Sequence, residues 1–269
     1  PLFLTHLTFG SYFNQDVSTL PPFLTHLTIS SNFNQNLSVL PQTLTHLIFG
    51  WSFNKDISSL PQGITHLTFG NRFNQDVISL PPLLTHLTFG NDFNQDVSSL
   101  PQGITHLTFG YRFNQDVSKL PSFLTHLTFG NDFNQDISNL PQGITHLTLG
   151  YYFNQHCDIP PNIKYLKLNC NNSYIINSLP NSVTELELDS HFKLEMNNLP
   201  SSIKILRIDK KSYYDMDLNC LPDFIEELHL NIKYKKRILY IPSNLKKIVC
   251  RENYLYINDF AMYDIEIYQ

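Results

Sequence analysis

The stretch LTHLTFGNDFNQDVSSLPQG, Leu84 to Gly103, recurs with few changes twenty residues earlier and twenty residues later. A proline opens each of eight such units. These prolines are Pro1, Pro21, Pro41, Pro61, Pro81, Pro101, Pro121 and Pro141. Five further prolines continue the period in less regular sequence, each before an apolar pair: Pro160, Pro180, Pro200, Pro222 and Pro242. A fixed period kept over these thirteen units predicts a solenoid.

Each unit is predicted to contribute one short β-strand. The segment Thr-His-Leu-Thr-Phe alternates polar and apolar residues and contains β-branched threonine, which is typical of a half-buried strand. A proline precedes it and a glycine follows it, so the strand is short. Little helix is expected, because the chain holds a single alanine, Ala261, and no stretch keeps a helical apolar stripe.

A single unit cannot fold alone. It offers too few apolar side chains to offset the conformational entropy lost when its backbone is ordered. Stacked units share their apolar faces and join their strands into one parallel sheet, which supplies the missing stability. The repetition is therefore first a requirement of stability.

The amino-acid sequence of the unit resembles two related repeat types. Leu-Pro-x-x-Leu-x-x-Leu-x-Phe is similar to the leucine-rich repeat, L-x-x-L-x-L-x-x-N. With Phe-Asn-Gln added, as in Phe13-Asn14-Gln15 and Phe133-Asn134-Gln135, the unit more closely resembles the FNIP repeat, a family found in amoebal proteins and in large viruses that infect amoebae. The resemblance is closest from Pro1 to about Gln155 and continues in looser form from Pro160 to about Cys250.

The resemblance implies a leucine-rich-repeat-like right-handed superhelix. It would have one short parallel strand per turn of about twenty residues and a mostly non-helical convex side. Three segments are predicted along the chain. Residues 1–155 form eight regular repeats, residues 156–250 form about five degenerate repeats of the same solenoid, and residues 251–269 form a C-terminal cap.

The resemblance also implies a function. FNIP proteins often carry an amino-terminal F-box, which would make the repeats the substrate-recognition part of a cullin-type ubiquitin ligase. Because the chain starts on Pro1 inside a repeat, we expect an upstream segment to be missing, and with it any F-box that would bind the ligase adaptor. The predicted role is a protein–protein interaction scaffold. The alternative is a structural or surface-display repeat protein without enzymatic activity, since bacterial surface proteins carry a similar Phe-Asn-Gln-Asp-Ile-Ser phrase.

The composition of the chain limits which classes of partner and which cellular compartment are expected. The net charge of -5 and the pI of about 6.1 argue against nucleic acid, and no apolar run reaches the length of a membrane span. The cysteines match no zinc spacing, and Cys157 and Cys250 replace apolar core residues of the repeat. Free thiols favour a reducing compartment, so we expect the cytoplasm, or the host cytoplasm for a viral protein, rather than an extracellular surface.

Four polar residues recur once per turn and would form columns, meaning stacks of equivalent residues about 4.8 Å apart. The columns run from Asn14 to Asn154, from Thr8 to Thr148 with an interruption at Ile48, from His6 to His146, and from Asp16 to Asp136 with Asn36 as one substitute. The asparagines can bond the backbone of adjacent turns. The histidines are expected to be neutral and hydrogen-bonded, with a metal site or a pH device as alternatives. The aspartates fit turn chemistry, with a calcium site as the alternative.

Against this background, the two residues that follow each strand vary most. They are expected to line the exit edge of a concave sheet, where solenoids bind partners. The predicted partner-binding residues are Tyr12, Trp51, Arg72, Asp92, Tyr111, Arg112, Asp132, Tyr151 and Tyr152. Trp, Tyr and Arg are the types enriched at binding hot spots. The alternative is that the charges, which alternate in sign from turn to turn, pair with one another along the stack.

Catalysis and cofactor binding have no candidate residues. Ser, His and Asp are abundant, but a catalytic site needs one preorganised cluster, and copies of one surface supply none. No phosphate-binding glycine motif occurs. We therefore predict no enzymatic activity, no cofactor and no metal.

Overall fold

The computed structural model of the chain describes residues 3–37 and 40–269, so Pro1, the first repeat-opening proline, lies outside the described residues. The chain forms two compact units, unit 1 (Pro1–Gly143) and unit 2 (Ile144–Gln269). The strands of unit 1 are β1 (His6–Thr8), β2 (His26–Thr28), β3 (His46–Ile48), β4 (His66–Thr68), β5 (His86–Thr88), β6 (His106–Thr108) and β7 (His126–Thr128).

The strands of unit 1 pair in parallel and in register. His66 lies opposite His86, and Leu67 lies opposite Leu87, so each residue meets its own equivalent in the next repeat. The opening proline sets up each strand: the N–H of Leu84 donates to the carbonyl of Pro81 at 3.3 Å, which closes a turn just before β5. Sequence identity between repeats thus becomes a column of identical side chains.

The core of unit 1 consists of apolar columns. In the fifth repeat Leu84, Leu87, Phe89, Phe93 and Val97 are all buried. The rings of Phe89 and Phe93 stack within the turn with centroids 3.7 Å apart. Burying each large apolar side chain contributes about 1.5–3 kcal/mol, and neighbouring turns supply the surface that buries it.

Unit 2 keeps the same architecture with looser sequence. Its strands are β8 (His146–Leu149), β9 (Tyr165–Leu168), β10 (Glu185–Leu188), β11 (Ile205–Ile208), β12 (Glu227–His229), β13 (Lys247–Val249) and β14 (Glu266–Tyr268). They pair in parallel in that order. One short helix, α1 (Ser173–Asn177), begins after Asn172, whose side chain accepts the N–H groups of Tyr174 and Ile175.

The sheet face of unit 2 is charged where that of unit 1 carries histidine and threonine. Glu227 on β12 contacts His229 and forms ion pairs with Lys247 at 3.0 Å and with Arg207 at 3.9 Å. Although partial burial opposes it, the hydrogen bonds from His229 and Lys247 lower the pKa of Glu227. Equivalent strand positions therefore carry different types of surface side chain in the two units.

The C-terminal segment of unit 2 extends the sheet, and three of the four cysteines of this unit are buried, whereas Cys220 is exposed. After β13 the chain forms a short 3-10 helix, Ile257–Asp259, and then β14, which extends the sheet. Phe260 is buried in this segment. Cys157 and Cys250 are buried, as predicted from their core positions, and burial raises the pKa of the Cys250 thiol.

The predicted fold class is confirmed. Both units are parallel β solenoids with one short strand in each turn of about twenty residues, and they contain almost no helix. Within residues 3–37 and 40–269, no helix has the length and apolar character needed to cross a membrane.

Candidate functional site

The variable residues of unit 1 occupy the central positions of a β-turn. In the fourth repeat the N–H of Phe73 donates to the carbonyl of Gly70 at 3.3 Å, so Asn71 and Arg72 lie at the two middle positions. Equivalent turns are closed at Phe13 and Phe33. We call the row of these two-residue positions in unit 1 the turn edge. Phe33 and Phe73 beside it are buried, whereas its own side chains are exposed or half-buried.

Backbone hydrogen bonds fix the spacing of the turn edge. The N–H of Arg72 donates to the carbonyl of Trp51 at 2.9 Å, and the N–H of Arg112 donates to Asn91 at 2.9 Å. Two more bonds of 2.8 Å, from Asp92 and from Asp132, continue the pattern. The side chains are therefore presented on a row of paired peptide groups rather than on a free loop.

A glycine before each turn allows this close approach. A Cβ placed on Gly90 would lie 2.1 Å from the carbonyl oxygen of Gly70. The glycines of this column in unit 1 have negative φ, so their role is to let backbones meet and not to supply a left-handed conformation. The one serine in this column, Ser30, is buried, and its hydroxyl donates to the carbonyl of Phe13.

Five of the nine predicted partner-binding residues line one groove of about 390 Å³ on the turn edge. The lining residues of this turn-edge groove are Trp51, Asn71, Arg72, Asn91, Asp92, Tyr111 and Arg112. The two aromatic residues remain well exposed, Trp51 at 55% and Tyr111 at 43%. Asn71 and Asn91 were part of the variable pairs in the sequence but were not predicted as site residues.

The charges of the groove are only partly paired. Arg112 forms an ion pair with Asp92 at 3.1 Å, and both side chains are exposed. Among the residues that the structure describes, Arg72 has no ion-pair partner. The alternative that charges pair along the stack therefore holds for one pair and leaves one guanidinium available to a ligand.

The four other predicted residues lie outside the groove. Tyr12 is exposed on the first turn and Asp132 lies one turn beyond Tyr111. Tyr151 and Tyr152 belong to unit 2, where their rings meet edge to face with centroids 4.8 Å apart. Sequence position alone put all nine on one edge.

A second, smaller surface lies on the sheet face around Ile48. This residue replaces threonine in its column and is 45% exposed. A groove of about 250 Å³ is formed there with His26, His46 and His66 among its lining residues. The interruption of the threonine column was the signal that could have predicted it.

The histidine column of unit 1 is a stack of imidazole rings. The rings of His66 and His86 are parallel within 12° with centroids 4.2 Å apart. The Thr65 hydroxyl contacts His66 Nδ1 at 2.9 Å and the Thr45 carbonyl at 3.2 Å. A carbonyl only accepts, so the hydroxyl donates to it and receives the Nδ1 proton.

This geometry favours the neutral, hydrogen-bonded interpretation of the column. Parallel rings direct their Nε2 lone pairs side by side, whereas a shared metal needs them to converge at about 2.0–2.1 Å. Burial, followed by repulsion from neighbouring rings, chiefly His86, lowers the pKa of His66. In the part of the chain that the structure describes, no group of three or more His, Cys, Asp or Glu side chains is placed to hold a metal ion.

The asparagine and aspartate columns take the structural roles predicted for them in unit 1. Asn94 Oδ1 accepts the backbone N–H of Asn114, one turn on, at 2.9 Å. Asp96 accepts the N–H of Ser98 at 3.0 Å and its hydroxyl at 2.7 Å. Those hydrogen bonds, the hydroxyl first, lower the pKa of Asp96. Both columns hold turns together and leave the turn edge as the variable surface.

Comparison with known proteins agrees with this architecture. The FNIP Repeat family model matches residues 16–52, 33–72, 53–92, 73–112, 93–132, 113–152, 133–171, 153–191 and 171–211. None of the curated proteins compared with the chain matches it.

Among solved structures, the chain is similar to CroV588, described as a novel circular leucine-rich-repeat protein. The sequences are 36% identical with a TM-score of 0.74, and the match covers 100% of this chain and 43% of CroV588. The chain thus spans less than half the length of that protein. InlJ from Listeria monocytogenes is 16% identical with a TM-score of 0.44, covering 92% of this chain and 67% of the InlJ domain.

Repeats of this leucine-rich-repeat-like fold are typical of non-enzymatic scaffolds. The matched segments run from residue 16 to residue 211, well over half of the chain. The chain belongs to the FNIP repeat family.

Proposed function

We propose that this chain is the recognition part of a protein-interaction scaffold, and that the turn-edge groove holds the partner. One observation carries the proposal: five of the nine predicted partner-binding residues, at positions that vary between otherwise similar repeats, line one groove. The repeated residues meanwhile satisfy the core and the backbone. Aromatic and arginine side chains in a preformed groove are the composition expected of binding hot spots.

The finer proposal concerns what the scaffold serves. We place the chain in the cytoplasm, or in a host cytoplasm for a viral protein, as the substrate-recognition part of an F-box ubiquitin-ligase receptor. The support is the family and its usual domain partner, and CroV588 shows that such repeats occur in longer chains. An F-box elsewhere in the protein would bind the ligase adaptor while the groove holds the substrate.

Affinity purification of the full-length protein from its own cells tests this proposal. The groove variant carries Trp51→Ala, Tyr111→Ala and Arg112→Ala. Loss of one hot-spot residue costs about 2 kcal/mol or more, roughly a thirtyfold weaker complex. We expect both proteins to retain cullin-ligase subunits and only the unmodified one to retain a further protein.

A matched control variant carries Leu83→Ala and Phe123→Ala, which removes exposed apolar side chains of unit 1 outside the groove. It should behave like the unmodified protein. If no ligase subunits are recovered with the unmodified protein, the proposed receptor role is contradicted. If the groove variant recovers every partner equally well, the binding role of the groove is contradicted. That result would favour a structural or surface-display protein.

A further inference from the structure

The turn-edge groove concentrates positive charge on an acidic surface. Residues 1–143 contain four basic residues, Lys55, Arg72, Arg112 and Lys119, against eight aspartates. Two of the four basic residues line the groove, and only one of the eight aspartates does so. The groove therefore has a local excess of positive charge.

The groove combines an ion pair, a second guanidinium and two exposed aromatic rings. Asp92 neutralises Arg112 in part, and their exposed ion pair is weak enough to open for a ligand. Arg72 has no ion-pair partner among the described residues, so its guanidinium fork remains available for a carboxylate. Trp51 and Tyr111 contribute exposed rings at the two ends.

The spacing of the groove sets the length of its ligand. Trp51 and Tyr111 are separated by three turns, or about 14 Å at about 4.8 Å per turn. The backbone bonds of 2.8 to 2.9 Å between turns keep that spacing at this edge. An extended peptide rises about 3.4 Å per residue and turns alternate side chains to one side. Side chains i and i+4 would therefore reach the two rings, and side chain i+2 would lie closest to the turn of Arg72, one turn from Trp51.

We propose that the turn-edge groove binds an extended acidic segment of a protein partner, with apolar side chains at i and i+4 on Trp51 and Tyr111 and a carboxylate at i+2 on Arg72. This inference rests on the proposed function and names the chemistry of its partner. The charge favours a peptide over single-stranded nucleic acid, because two arginines form too short a basic stripe for a phosphate backbone that carries one negative charge per nucleotide.

The test begins with a display library of random linear peptides selected on the protein, with the Trp51→Ala/Tyr111→Ala variant used for counter-selection. We expect enrichment of apolar-x-Asp/Glu-x-apolar sequences. Affinity is then read from the fluorescence of Trp51, the only tryptophan of the chain. Replacing the peptide carboxylate by its amide should weaken binding at least about tenfold.

Two protein variants separate the possible outcomes. Arg72→Gln should lower the affinity for the acidic peptide by a similar factor. Lys119→Gln, which removes a charge of unit 1 outside the groove, should leave that affinity unchanged. Groove-dependent peptides that lack a carboxylate, or that bind Arg72→Gln equally well, would overturn the inference and leave the proposed function standing. Selection of no groove-dependent peptide, or complete competition by a single-stranded oligonucleotide, would overturn both.

Discussion

At the scale of single residues, an amide and a carboxylate two positions apart do different work. Asn94 receives a backbone N–H from the next turn, whereas Asp96 closes a turn within its own repeat. The asparagine therefore joins consecutive turns, whereas the aspartate holds its own turn closed.

The glycine column gives the sharpest prediction at this scale. Gly90→Ala should destabilise unit 1 by about 1–3 kcal/mol, because its Cβ would overlap the Gly70 carbonyl and the turns must move apart. Gly10→Ala is the matched control, since a Cβ on Gly10 meets nothing within 4 Å. Urea unfolding followed by Trp51 fluorescence measures the difference. Equal midpoints for the two variants would contradict the steric explanation.

The sequence predicted the hydrogen-bond partners of the asparagines and aspartates. It did not predict why glycine is needed before each turn. A donor or acceptor type at a fixed period indicates which hydrogen bond it can make. The glycine was predicted only to end the strand. Its real constraint is a carbonyl twenty residues away, and that contact depends on the separation between turns.

At the scale of the element, the stacked imidazoles make unit 1 sensitive to acid. Burial first, and then the neighbouring His46 and His6, lower the pKa of His26, and His66 behaves alike. A histidine whose folded pKa lies below its unfolded value of 6.5 is protonated more readily in the unfolded chain. Its contribution to stability is complete above pH 6.5 and is lost as the pH falls toward the folded value.

We therefore expect the melting temperature of unit 1 to fall between about pH 7 and about pH 5. The aspartate turns do not interfere in this range, because their stabilisation is lost only below the unfolded pKa of 3.8. Thermal melts of the chain and of a His46→Gln/His86→Gln variant, which isolates His66, measure the effect. The variant should lose less stability in acid. If the melting temperature of the unmodified chain does not change with pH, the hypothesis that the histidine column responds to pH is contradicted.

The charged sheet face of unit 2 was not predicted from sequence. Glu227 meets Arg207 and Lys247 only because a two-residue insertion before Pro222 is absorbed outside the strands. Periodicity locates a strand in degenerate repeats, but it cannot fix the register of pairing to one residue. Side-chain partners across strands depend on that register.

At the scale of the whole molecule, each repeat of unit 1 contacts mainly its neighbours, so whole repeats should be removable. Deleting residues 81–100 joins Leu80 to Pro101, which reproduces a natural junction between repeats. We expect a folded protein, since the new neighbours carry the same core residues. The deletion brings Trp51 and Tyr111 one turn closer, about 5 Å, so the acidic peptide should bind at least about tenfold more weakly.

Deletion of residues 121–140 is the matched control, because it removes one repeat and leaves the turn-edge groove intact. Circular dichroism reports folding and Trp51 fluorescence reports binding. Unfolding of both deletion variants would contradict the interchangeability of repeats. Unchanged affinity after deletion of residues 81–100 would contradict the spacing of the groove.

The fold could be predicted more completely than the site. The period of twenty residues and the alternating strand segment indicate a parallel solenoid, because stacking such repeats buries their apolar faces against one another. The variable turn positions were likewise evident. Which of them form a groove depends on the sizes of neighbouring side chains, as Trp51 and Tyr111 enclose two asparagines. Sequence could not separate Tyr151 and Tyr152, which lie in unit 2.

The backbone bonds between turns also determine how unit 1 would respond to a pulling force. They run from one turn to the next, as from Thr85 N–H to the Thr65 carbonyl at 2.9 Å. A terminal turn would be released first under tension, because a neighbouring turn holds it on one side only. Releasing one turn would lengthen the chain by about 60 Å, since extended residues span about 3.4 Å each. Because the repeats of unit 1 have the same length, each released turn would extend the chain by the same step.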